Sequence, residues 1–138
     1  MKHNLALTVT SLLSIVLFTL HLTDDIVRGI EPGTLSNLVG VLILVVWLYG
    51  TLVLAGRRSG HVILLLGSLL GSGVPILHFR GAGVARIAKS SGGFLFIWTL
   101  LALGVTALFS LILCVRGLWS LRRTASASNE GANRNVAV

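Results

Sequence analysis

Four long apolar runs separated by short polar stretches organise this chain. They cover residues 5–22, 35–55, 62–79 and 94–115, and none contains Asp, Glu, Lys or Arg. Each run holds 18 to 22 residues. A helix rises ~1.5 Å per residue, so about 20 residues cross the ~30 Å hydrocarbon layer of a bilayer. Hydrocarbon offers no partners to backbone N–H and C=O groups, and a helix satisfies them within one segment. The pattern therefore predicts an all-α fold: a polytopic integral membrane protein with a four-transmembrane-helix bundle, running up-down-up-down, within residues 1–123.

The first run follows Lys2, as the apolar core of a secretory signal would. It leaves through His21-Leu22-Thr23-Asp24-Asp25 instead of a small-residue cleavage pattern, and is read as a span. From Thr124 the chain carries small polar residues without apolar periodicity. Such a stretch buries too little surface to order itself, so residues 124–138 are expected to be a disordered cytoplasmic tail. Residues 56–61 make a tight turn between the second and third runs, while residues 23–34 and 80–93 form two longer loops at the opposite face.

Composition supports the membrane reading. Hydrophobic residues make up 54% of the 138 and charged residues 11%, too few to clothe a water-soluble surface. The net charge of +7 is not a nucleic-acid footprint, because the basic residues flank apolar runs and do not line one face. Lys2, Arg57, Arg58, Arg116, Arg122 and Arg123 fall on one side. Arg28, Arg80, Arg86 and Lys89 fall on the other, with Asp24, Asp25 and Glu31. The bias places both termini in the cytoplasm, with the chain in a bacterial-type inner membrane. A single cysteine, Cys114, excludes an internal disulfide and the paired-thiol chemistry of four-helix membrane oxidoreductases.

Small and polar residues suggest where helices meet. Gly67 and Gly71 form a GxxxG pair in the third run, which lets another backbone approach, either within the bundle or in a homodimer seam. Pro75 is expected to kink the outer third of that helix. Thr10, Ser14, His21 and Asp25 share one face of the first run, which should point to the interior or to a water-filled pocket. Trp119 suits an inner interfacial belt and Trp98 an outer one. His21 and His78 end the odd-numbered runs, and an Arg and an Ile follow each (Arg28, Ile30; Arg86, Ile87), a short echo of two parallel hairpins.

One constellation could carry chemistry. His21, Asp24 and Asp25 end the first run, His78 ends the third on the same side, and Arg80 follows. Three readings are open. Four basic and three acidic residues in these loops favour ion pairs that tie the loops together, with Asp24, Asp25 and Glu31 meeting Arg28, Arg80, Arg86 or Lys89. Alternatively His21, Asp25 and His78 are candidate ligands of a metal such as zinc, which takes nitrogen and oxygen donors in fours. The third is a small anion, headgroup or proton held by the imidazoles and nearby Arg. His3 and His61 lie on the inner side as ordinary interfacial residues.

There is no Walker-type loop, HExxH or GxSxG. In size the chain is similar to the small multidrug transporters. Those need an acidic residue deep in the first helix, where this chain has only Thr and Ser. No cofactor is indicated. The expected role is a non-enzymatic binding or accessory protein whose outer loops are the working surface. A small oligomeric transporter or channel subunit is the alternative, and a metal-dependent membrane enzyme the third. Expected partners are the lipid bilayer and either a second copy or another membrane protein.

Overall fold

A computed structural model describes residues 2–35, 37–80 and 87–136, with side chains described for 5–35, 37–80 and 87–123. Among the described residues its long helices are α1 (Lys2–Val27), α2 (Asn37–Leu52), α3 (Arg58–Phe79) and α4 (Gly93–Val136). Three contain stretches long and apolar enough to cross a membrane: Leu5–Val27, Arg58–Phe79 and Gly93–Arg123. The fourth, α2, has 16 residues, roughly 24 Å at 1.5 Å per residue, and falls short of the 35–55 span. Its apolar run continues, but the backbone leaves the helix after Leu52 and turns at Gly56, whose φ is +78°.

Local chemistry sets the other boundaries. α1 extends past the first apolar run and ends in a glycine cap. Gly29 takes φ +68°, its N–H bonds to the Ile26 carbonyl at 3.0 Å, and the Ile30 N–H bonds to the Asp25 carbonyl at 2.9 Å. This left-handed cap closes the last turn of a helix and suits glycine, which has no Cβ to clash. The polar stretch from His21 to Val27 is thus helical. α3 runs unbroken through Pro75, whose ring lies against Gly104 of α4. α4 stays helical to Val136, through residues expected to form a loose tail. That stretch holds no Pro and a single Gly, so little stops a helix already nucleated upstream.

α4 packs against α1 and α3 on one side, α2 packs against the same pair on the other, and α1 touches α3. The ends of α1 and α3 meet the start of α4 (His21, His78, Phe96), while Ser11 early in α1 meets Thr51 at the end of α2. Successive helices therefore alternate in direction.

The interior mixes polar and apolar side chains, while much of the outer surface is apolar. Ser11, Ser14, Ser68 and Ser110 are fully buried, while Leu5, Val9, Leu13, Val16 and Leu20 of α1 lie exposed. An apolar surface this continuous needs apolar surroundings. Trp47 is the hub of the interior. Its ring packs edge-on to Phe18 and lies directly on Gly67, where any Cβ would collide with it. Gly71 faces Ala107, Trp47 and Leu103. Both glycines thus spend their lack of a side chain on contacts within the chain.

Candidate binding site at the joined ends of the helices

Two kinds of polar group are buried here. The first kind are hydroxyls that bolt helices together. The Trp47 indole N–H donates to Ser11 Oγ at 2.9 Å, and Thr51 Oγ donates to the Trp47 carbonyl at 2.8 Å. Since the Thr51 proton is committed, Ser11 donates to Thr51 Oγ at 2.8 Å and a ring closes. Ser68 donates to Ser110 across α3 and α4 at 2.9 Å, and Ser14 reaches Thr106 across α1 and α4 at 3.2 Å. Each buried hydroxyl in this seam has a partner, as buried polar groups require.

The second kind gather where α1 and α3 end. His21 and Asp25, one helical turn apart, are 3% and 5% exposed, and α3 brings His78 to the same carboxylate. Asp25 Oδ2 lies 3.4 Å from His21 Nε2 and 3.4 Å from His78 Nε2. The two imidazoles meet edge to face with centroids 4.8 Å apart. Phe96 of α4, fully buried, supports both, at 5.1 Å from His21 and 5.8 Å from His78. The glycine cap of α1 lies just beyond and fixes where Asp25 stands.

The hydrogen bonds of this group are incomplete. His78 Nδ1 lies 3.0 Å from the Val74 carbonyl, which can only accept, so Nδ1 carries the proton. Nε2 is then the ring nitrogen that His78 turns toward the Asp25 carboxylate, at 3.4 Å. Neither ring nitrogen of His21 has a hydrogen-bond partner, and neither does Asp25 Oδ1. Three buried polar atoms without partners in one place are expensive, and a proton or a metal cation lets a carboxylate face two imidazole nitrogens. One ligand atom from each of His21, Asp25 and His78 can be chosen so that all lie within 4.8 Å of one another.

Among the sequence candidates, His21, Asp25 and His78 converge. Asp24 does not join them. It accepts from Arg28 Nε at 2.7 Å, one turn along α1. Arg28 Nη1 reaches Ser90 Oγ at 3.0 Å, and the guanidinium stands 5.6 Å from the Phe96 ring centre. Arg28 thus clips α1 to the loop before α4. Arg80 caps α3 through its backbone N–H and its side chain is exposed, with no described bond to the cluster. The expected network of loop ion pairs is thus a single Asp24–Arg28 pair among the described residues, and Asp25 faces histidines instead of arginine. Arg86 lies outside the described residues. His61 is buried at the other end, where Nδ1 donates to the Arg57 carbonyl at 2.9 Å.

Phe96, Trp47 and Ser11 escaped the sequence reading. Phe96 looks like any apolar residue opening a span, and only the α1–α4 packing reveals it. Gly67 and Gly71 predict the close approach of another backbone, and the structure fills the groove over Gly67 with the Trp47 ring instead.

Comparison with protein-family models, curated proteins and solved structures returns no match. The site's own geometry is the ground for assigning function.

Proposed function

We propose that this chain is a four-helix integral membrane bundle in a bacterial-type inner membrane, acting as a non-enzymatic binding protein through the His21–Asp25–His78 cluster. The apolar surface and buried hydroxyls support the bilayer placement. The basic residues Lys2, Arg57, Arg58, Arg116, Arg122 and Arg123 support cytoplasmic termini, with the cluster at the outer face. α2 is short for a crossing and would cross with the bilayer thinned locally or with its flanks completing the span.

One observation carries the binding role: every buried hydroxyl of the seam is partnered, whereas His21 Nδ1, His21 Nε2 and Asp25 Oδ1 are not. A cluster kept for stability alone would be expected to close its own hydrogen bonds, as the seam does. The transporter alternative draws less support. Ser11 and Ser14 are fully buried and bonded, so the polar face of α1 is closed by packing at their depth.

The test is native mass spectrometry of protein extracted from its own membrane in mild detergent without chelator. Wild type and Ser68→Ala are expected to carry an added mass that is lost in Asp25→Ala. Bare chain mass in all three proteins would overturn the binding role.

A further inference from the structure

We infer that His21, Asp25 and His78 coordinate one first-row divalent ion of the zinc class, held between α1 and α3. The inference rests on the binding role proposed for this cluster and names its ligand.

The donor set fits. Imidazole nitrogen and carboxylate oxygen are zinc ligands, at ~2.0–2.2 Å from the ion. Tetrahedral ligands at that distance stand about 3.4 Å from one another. Both nitrogens lie 3.4 Å from Asp25 Oδ2, and the set closes within 4.8 Å, so completing it takes an inward movement of one imidazole by about 1 Å or a little more.

The two contacts are also longer than a short charge-assisted hydrogen bond. A charge-assisted N–H···O bond closes to about 2.7–2.9 Å. Both contacts stop at 3.4 Å, beyond a short hydrogen bond and at the edge length of a tetrahedron. The tautomer agrees as well. His78 donates Nδ1–H to the Val74 carbonyl, which orients the ring and leaves Nε2 to ligate. A backbone carbonyl on the far nitrogen is a usual companion of a metal-bound histidine.

Charge does not oppose the ion. Arg28 is neutralised by Asp24 at 2.7 Å, and Arg80 is exposed. Asp25 supplies a negative charge that no described cation offsets. The His78 side chain is 21% exposed, against 4% for His21 and 7% for Asp25, so an ion would enter past His78. Three protein ligands leave a fourth position for water or another small donor.

The test is titration of chelator-treated protein in detergent with Co²⁺, read by its visible absorption, then displacement with Zn²⁺. Wild type is expected to take up one equivalent with the strong bands of a four-coordinate ion. Asp25→Asn and His21→Ala are expected to bind at least 100-fold more weakly, and His61→Ala like wild type. His78→Cys is expected to add a sulfur-to-cobalt charge-transfer band, which only direct ligation gives. Failure of wild type to bind either ion more tightly than the His21→Ala, Asp25→Ala, His78→Ala triple variant overturns the inference, whether or not that variant folds well. A non-metal mass in the native spectrum, lost with Asp25→Ala, would also overturn it while leaving the binding role intact. Bare chain mass would remove both.

Discussion

The seam around Trp47 and the cluster around Asp25 are both polar, both buried and both built across helix contacts, yet they differ in completeness. In the seam, Trp47, Ser11 and Thr51 exchange donors and acceptors in a ring, and Ser68 pairs with Ser110. At the cluster, three polar atoms have no partner. Where apolar surroundings leave helices no hydrophobic drive to associate, hydrogen bonds and close packing over small residues hold them together. The seam does this with hydroxyls and glycines, at low cost in charge. A carboxylate between two imidazoles is a poor way to join helices and a good way to hold a cation. Buried polarity thus takes two forms here, and completeness of hydrogen bonding separates them.

Breaking the seam at its hub should have the largest effect. Trp47→Ala removes the ring that fills the groove over Gly67 and orphans Ser11. Its expected cost is about 3–5 kcal/mol, the usual range for deleting a buried Trp, read by equilibrium unfolding in detergent. A loss under about 1 kcal/mol would mean that the packing around Trp47 is misassigned. Ser68→Ala leaves Ser110 without its partner, and interhelical bonds of this kind average about 0.6 kcal/mol in membranes. A change of comparable size belongs to the Arg28 clip. Asp24 and Arg28 are partly exposed, so Arg28→Ala is expected to cost about 0.2–1 kcal/mol and to speed amide exchange at Ser90 and Ser91.

Labelling sharpens the contrast without relying on stability. A membrane-impermeant thiol reagent should react with His78→Cys and leave Ser14→Cys untouched, because Ser14 is fully buried and His78 partly open. Reaction at Ser14→Cys would reveal an aqueous path and favour the transporter reading.

Much of this arrangement was legible in the sequence. Three of the four runs give helices of membrane-crossing length, and His21, Asp25 and His78 were already a candidate set. What composition could not show depends on geometry. Arg28 lies one turn beyond Asp24 only because α1 continues to Val27, past the end of its apolar run. Which of two adjacent aspartates faces α3 is a matter of helix rotation, and Asp25 faces it while Asp24 turns to Arg28. α2 proved shorter than its apolar run because the turn at Gly56, not hydropathy, ends it. Phe96 became visible only when α4 was placed.

The most direct measurement is the unfolding free energy of chelator-treated protein with His21, Asp25 and His78 all replaced by Leu. Replacing a buried ion pair or triad wholesale by well-packed apolar side chains of similar volume is often neutral or stabilising by about 1–4 kcal/mol. The metal-free variant should therefore be at least as stable as metal-free wild type. A loss as large as that of Trp47→Ala would show that these three residues serve the fold itself, and would contradict their assignment to a ligand.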